Sequence, residues 1–178
     1  MKHIVTVMAL AFSLAVVPVA FGAEGYRLGS VDIQKVLLLS DSGKEAREQL
    51  SSMGSKYEGE KNSREEELKK LKSELENQSA LLSESARNGK EKDYQQKLTV
   101  YQRFLKDAQD NFKEKNEALS NKIVDEIVTT IQEFGKNNSY SYIFVRNNSM
   151  VYLDANVDLT DEVLKIFNLK FSPKKASL

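Results

Sequence analysis

A repeating pattern of apolar and charged positions runs through residues 41–134 and predicts long helices that pack along one seam. Apolar or uncharged side chains recur there in alternating steps of three and four residues, in two separate series. The series are Leu68, Leu71, Leu75, Gln78 and Leu82, and then Tyr94, Leu98, Tyr101, Leu105, Ala108 and Phe112. This spacing is typical of a coiled-coil seam, and no proline interrupts the block.

The two series are separated by residues 83–90, which lack the spacing and contain the pair Asn88-Gly89. Because Gly89 can adopt the left-handed conformation that closes a helix, we predict a helical hairpin arm over residues 41–134 with its tip near residues 85–91. Each helix would have about 45 residues and a length of roughly 65–70 Å. One continuous helical rod is the alternative.

The two ends of this hairpin differ in apolar content. The first helix contains Gly54 and Gly59, which each cost about 1 kcal/mol relative to alanine, and it is therefore expected to be the more flexible one. Near the base of the second helix the apolar stripe widens to Leu119, Ile123, Val124, Ile127, Val128, Ile131 and Phe134. A stripe of this width predicts packing against a core.

The segments flanking the hairpin have short β-like runs. Residues 26–30 alternate between apolar and polar types, and Asp32 can cap a short helix that follows. Residues 140–145 and 150–153 are two apolar runs joined by turn residues, which predicts a β-hairpin. A short amphipathic helix at 159–167, capped by Thr160, completes the chain. We therefore predict an α+β fold.

In this fold the helical hairpin, with its coiled-coil-like arms, stands on a small β-rich body formed by residues 23–40 and 135–178. A sheet this small cannot bury both of its faces and the base of the hairpin, so we expect the body to associate with further copies. The apolar strand residues are the candidate interface: Val31, Ile33, Ile143, Val145, Val151 and Leu153.

Residues 1–22 have the pattern of a signal peptide. Lys2 precedes an apolar run at 4–17, and the small residues Ala20 and Gly22 precede the cleavage that we predict before Ala23. A membrane anchor is the alternative, but the run is shorter than the roughly 20 residues that span a bilayer. The mature protein is therefore expected to be exported.

Composition excludes several kinds of chemistry from the mature chain. The single histidine is His3, inside the predicted leader, and the chain has no cysteine, so histidine bases, thiol nucleophiles and Cys/His zinc sites are absent. The arm has 17 basic and 20 acidic residues, interspersed along the helices, which is not a nucleic-acid footprint. We expect neither an enzyme nor a protein with a metal or cofactor.

Apolar side chains along the arm are candidates for binding a partner. Two helices can cover only one stripe each, and Phe104 falls outside the seam set by Tyr101 and Leu105, so some apolar surface should stay open. Ordinary packing in the seam is the alternative for these residues. The candidate binding set is Met53, Tyr57, Tyr94, Tyr101, Phe104 and Phe112.

Three sequence segments resemble the Skp (OmpH) family of periplasmic chaperones. They are GSVDIQKV at 29–36, SGKEA at 42–46 and VDLTDEVLK at 157–165, and the order of elements also matches over the mature chain. The resemblance implies a homotrimer in the periplasm whose helical arms enclose a cavity. It also implies an ATP-independent holdase that binds unfolded outer-membrane β-barrel proteins and prevents their aggregation.

One departure from that family affects the expected partners. Its members are often basic with positive arm tips, whereas here Arg87, Lys90 and Lys92 are balanced by Glu84, Glu91 and Asp93. We therefore expect unfolded outer-membrane proteins and further copies of the chain as partners, with weak peripheral membrane contact at most and no nucleic acid. A structural coiled-coil spacer or adaptor of the cell envelope, with one fixed partner, is the alternative function.

Overall fold

Two long antiparallel helices dominate the structure, and a small body of strands and short helices lies at one end of them. The computed structural model describes residues 25–78 and 82–172, so the predicted signal peptide at 1–22 lies outside the described residues. The elements are β1 Leu28–Val31, α1 Ile33–Leu39, α2 Asp41–Gln78, α3 Glu84–Asn137, β2 Tyr142–Val145 and α4 Thr160–Phe171, with a 3₁₀ turn at Ala155–Val157 before α4.

The sheet of the body consists of β1 and β2, which pair in parallel from Leu28 opposite Tyr142 to Val31 opposite Val145. Parallel strands need a crossover connection, and here the whole helical hairpin provides it. On the other side of β1, the Leu159 amide donates to the Ser30 carbonyl oxygen at 2.8 Å. The predicted strand at the start of the mature chain is therefore present.

The predicted β-hairpin is wrong. Residues 150–153 form no strand, and the Val151 and Tyr152 side chains are 100% and 81% exposed. The first run pairs with β1 instead, and the Arg146 amide extends that pairing by donating to the Val31 carbonyl oxygen at 2.8 Å. Apolar alternation predicts that a segment is a strand, but it does not identify the strand with which it pairs.

Most of the body's core comes from helices, so the body is less β-rich than predicted. The buried apolar residues are Val31, Ile33, Val36, Ala46, Ile123, Ile127, Phe134, Leu159, Val163 and Phe167. The widened stripe at the base of α3 is confirmed, because Ile123, Ile127 and Phe134 are buried against this core. Each such side chain contributes about 1.5–3 kcal/mol when it is fully buried.

Side-chain caps connect the elements of the body. Asp32 caps α1 as predicted, accepting from the Lys35 amide at 2.9 Å. Thr160 does not cap α4, because its hydroxyl accepts from the Asp32 amide at 3.0 Å and donates to Asp158 at 2.6 Å. Partial burial opposes ionisation of Asp158, but hydrogen bonds from Thr160 and Arg146 outweigh it and lower the pKa of this carboxyl. These bonds fasten the start of α4 to β1 and α1.

The junction between α1 and α2 requires a glycine. The Ser40 hydroxyl accepts from the Gly43 amide at 3.1 Å, which turns the chain from the body into the hairpin. A Cβ atom on Gly43 would lie 1.7 Å from the Leu37 carbonyl oxygen, a distance that no side chain can have to the backbone. The close approach of α1 and α2 therefore depends on the absence of a side chain at this position.

The hairpin is present, but its tip lies earlier than the predicted 85–91. The Ser83 hydroxyl caps α3 by accepting from the Ala86 amide, and α3 then continues through Gly89, which does not have a positive φ. A serine cap followed by Glu84 in the first turn favours a helix start here over a helix end at Gly89. The two helices consequently have 38 and 54 residues rather than equal lengths.

Replacing Gly43 with alanine should destabilise the protein by about 1–3 kcal/mol, because the new methyl group overpacks the α1–α2 junction. Gly59→Ala is the matched control: no atom lies within 4 Å of its Cβ position, so helix propensity should stabilise that variant slightly. Urea unfolding followed by circular dichroism, at one fixed protein concentration, measures both. Equal midpoints for the two variants would contradict the prediction.

Amide hydrogen exchange should be faster at residues 52–64 than at residues 119–131. The first segment contains two glycines and no buried residue, whereas the second packs Ile123, Ile127 and Thr130 into the core. Exchange measured by mass spectrometry on the intact protein tests this. Equal protection of the two segments would show that the glycines do not weaken α2.

Candidate functional site

The apolar side chains of the arm are only partly buried. Among the described residues between 47 and 122, none is buried, although many are half-buried. Two helices can shield only the stripe along which they touch, and the hairpin has no third layer over its flanks. The arm is therefore a surface of incompletely covered apolar groups between charged ones.

Polar contacts set the register of the two helices toward the tip. Glu74 pairs with Lys90 at 2.5 Å and Glu67 pairs with Lys97 at 2.8 Å. In the sequence, residue 82 is the midpoint of both pairs. Hydrogen bonding to Lys90 lowers the pKa of Glu74, and hydrogen bonding to Glu67 raises the pKa of Lys97. Since these groups are partly exposed and screened by solvent, they align the helices more than they stabilise them.

Tyr101, one of the predicted binding residues, takes part in this alignment. Its hydroxyl donates to the Glu65 carboxylate at 2.5 Å, and this hydrogen bond raises the pKa of Tyr101. The contact joins α3 to α2 one turn beyond the Glu67–Lys97 pair. Its ring is half-buried, so part of its apolar surface remains available.

Phe104 lies in the seam, contrary to the sequence prediction. Its ring packs edge-on against the Tyr57 ring, with centroids 6.2 Å apart, and the Arg64 guanidinium lies 4.5 Å from the Phe104 ring centroid. Leu105, which the pattern placed in the seam, is 38% exposed. An α-helix drifts by about 20° per heptad relative to a strict seven-residue repeat, so a seam inferred from spacing loses its register along a long helix.

An apolar cleft of about 240 Å³ opens beside this pair, and we call it the arm cleft. Gly54 lies on its α2 side, while Leu105 and Phe112 lie on its α3 side, together with the Tyr57 and Phe104 rings. The structure thus brings Tyr57, Phe104 and Phe112 together, three of the six residues in the predicted binding set. The other three do not line this cleft: Met53, Tyr94 and Tyr101.

The body has a second exposed apolar surface, which sequence reasoning only partly identified. Tyr26 stands against Tyr142 with ring centroids 6.3 Å apart, and Tyr142 stacks with Phe144 at 6.1 Å. These three rings are 76%, 56% and 49% exposed, and we call them the aromatic patch. The alternation of Tyr142 and Phe144 about Ile143 was the available signal.

The predicted interface residues divide between core and surface. Val31 and Ile33 are buried in the protomer's own core, and Ile143 and Leu153 are half-buried. Val145 is 51% exposed and Val151 is fully exposed. In the described part of the chain, β2 pairs only with β1, so its outer edge is open next to these exposed groups. An unpaired edge of this kind is a template for pairing with another chain.

Within residues 25–78 and 82–172, no group of three or more histidine, cysteine or acidic side chains could hold a metal ion. Neither does any helix there have the length and apolar content needed to cross a membrane.

Comparisons with known proteins agree with this architecture. The structure superimposes on that of a candidate outer membrane chaperone (OmpH-like) from Caulobacter crescentus CB15 with a TM-score of 0.77 at 16% identity, over 83% of this chain and 86% of the other. No curated protein matches the sequence. The family model described as "Outer membrane protein (OmpH-like)" matches residues 27–167, most of the chain. The resemblance noted in the sequence is thereby confirmed, and the chain belongs to the OmpH-like family.

Proposed function

We propose that this protein is an ATP-independent holdase chaperone of the periplasm that binds unfolded outer-membrane β-barrel proteins and prevents their aggregation. One observation carries the proposal: no described residue of the arm between 47 and 122 is buried, although apolar side chains line its whole length. Exposed apolar surface of this extent marks an interaction site.

The arm's chemistry suits transient binding of unfolded chains. Val100 is 47% exposed, and Leu105 and Phe112 are 38% exposed each, so each offers part of a side chain rather than a deep site. Many such weak contacts on one flexible client add up through effective concentration, without any single tight site. The client leaves when its own folding buries more apolar surface than the arm covers, which requires no nucleotide.

Family membership supports the general role and the location. The structural neighbour is described as a candidate outer membrane chaperone (OmpH-like), and OmpH-like chaperones are not a class of enzymes. Periplasmic location follows from this family and agrees with the leader pattern at residues 1–22. Within this proposal, the clients are unfolded outer-membrane proteins held in a cavity between the arms.

A direct test separates the holdase from the alternative, an envelope spacer with one fixed partner. An unfolded outer-membrane barrel protein is diluted out of urea, and its aggregation is followed by light scattering with and without this protein. A holdase lowers the scattering at near-stoichiometric ratios without ATP. Unchanged scattering would contradict the proposed function and favour the spacer.

The body is expected to form a trimer through the aromatic patch and the open edge of β2. Replacing Tyr142 and Phe144 with serine should convert the trimer to monomer at micromolar concentration, because it removes exposed aromatic surface and leaves the protomer core untouched. Val100→Ser, on the arm, is the control and should leave the mass unchanged. Sedimentation equilibrium measures the mass, and a stable monomer in the unaltered protein would overturn the expectation.

Client capture should depend on apolar contact and only weakly on salt. Basic and acidic groups are interspersed on the arm, 17 against 20, and several are paired between the helices, so the arm has no field of one sign. Replacing Val100, Leu105 and Phe112 with serine should weaken client affinity at least tenfold. These three are chosen because serine at Tyr57, Tyr101 or Phe104 would also break contacts between α2 and α3.

The matched control is a charge variant near the tip. Arg87→Gln with Lys92→Gln should change affinity little, and Lys90 is left in place because it pairs with Glu74. Client affinity is measured by fluorescence anisotropy at low and high salt for all forms. A steep loss of binding with salt in the unaltered protein, or a strong effect of the charge variant, would show that charge governs capture.

A further inference from the structure

We propose that the arm cleft is a receptor for one aromatic side chain of the client, so that capture is selective for aromatic residues in the unfolded chain. This inference rests on the proposed function and assigns a specific site within it. Three properties of the cleft support it: its size, the glycine that leaves it open, and the absence of unpaired charge at its rim.

The size of the cleft fits one side chain. Ligand pockets for small molecules measure about 300–1,000 Å³, whereas the arm cleft measures about 240 Å³. Its lining includes two rings that already meet edge-to-face, Tyr57 and Phe104, and the partly exposed Phe112 ring about two turns farther along α3. A further ring entering this space can adopt the offset and edge-on geometries that aromatic pairs prefer.

Packing and backbone conformation within the protomer do not require a glycine at position 54. Gly54 lies in the interior of α2, where glycine disfavours the helix, and its φ is not positive. A Cβ atom there would meet only Phe112 Cε2, at the ordinary contact distance of 3.8 Å, so packing does not demand glycine. The residue does determine the depth of the cleft, because any longer side chain would project into it.

Charges at the rim are already paired, which favours an uncharged occupant. Glu58 and Lys61 both line the cleft and form an ion pair at 3.1 Å, while the other polar residue of the lining, Gln109, is neutral. A carboxylate or ammonium entering the cleft would find no free counter-charge there and would lose hydration. An aromatic ring has no such cost, and outer-membrane barrels carry girdles of aromatic side chains at both membrane interfaces.

The chain contains no tryptophan, so the fluorescence of a tryptophan in a bound peptide can be measured without a tryptophan signal from the protein. An uncharged peptide with one tryptophan is titrated with the full-length protein, and its fluorescence reports a ring that enters an apolar site. The same peptide with phenylalanine, leucine or serine in place of tryptophan is then used as a competitor. We expect a blue shift on binding, with phenylalanine competing at least fivefold better than leucine and serine competing least.

Leucine in place of Gly54 and leucine in place of Gly59, both in α2, together test whether filling the cleft weakens peptide binding. Gly54→Leu fills the cleft and should weaken binding of the tryptophan peptide at least tenfold. Gly59→Leu has the same effect on helix propensity but lies outside the cleft lining, with no atom near its Cβ position, and should bind like the unaltered protein. Circular dichroism and sedimentation are used to check that both variants keep their helix content and mass. If Gly54→Leu does not fold, the competition between phenylalanine and leucine peptides tests the inference on the unaltered protein.

Several results would overturn the inference. One is equal binding of the tryptophan peptide by Gly54→Leu and Gly59→Leu. Another is equal competition by leucine and phenylalanine. A change of oligomeric mass in Gly54→Leu, with peptide affinity intact, would show that a second copy fills the cleft. If the unaltered protein suppresses client aggregation in any of these cases, the proposed function stands and only the aromatic selectivity falls.

Discussion

Coverage of apolar surface by only two helices is the constraint on which the rest of this structure depends. Each helix of the arm can shield one stripe, so no described residue between 47 and 122 is buried. Burial is instead concentrated in the body, where α1, α4, β1 and the base of α3 surround Ile127 and Phe167. The buried core and the open apolar surface are thereby separated along one molecule, and changes on the arm need not unfold the body.

The connection between these two parts is made of close backbone contacts and short hydrogen bonds. Gly43 lets α2 leave the body immediately after α1, and Thr160 and Asp158 join the start of α4 to β1 and α1. The chain enters the arm and returns from it at one rigid base, with the Glu133–Lys170 ion pair linking α3 to α4. The buried core therefore lies at the base of the arm and does not extend along it.

Features that depend on neighbouring residues were predictable. The Asp32 cap, the helical hairpin and the broad stripe containing Ile123 and Ile127 follow from hydrogen bonds within one turn or from periodicity within a helix. The tip lies earlier than predicted because Gly89 can either close a helix or lie within one. The Ser83 cap starts α3 before Gly89, so Gly89 lies within the helix. Three members of the predicted binding set line the arm cleft, whereas Met53, Tyr94 and Tyr101 do not.

The amino-acid sequence by itself determined which segments are helical, which stripe is apolar and that residues 23–178 contain no histidine or cysteine, because periodicity and composition are local properties. Tertiary structure alone decided that residues 142–145 pair with β1, which lies more than a hundred residues earlier, and that residues 150–153 form no strand. It also decided that Phe104 meets Tyr57 and that Gly54 opens a cleft between them and Phe112. Such contacts depend on the relative rotation and register of two long helices, and small deviations per turn accumulate over their length until spacing no longer specifies which side chains face each other.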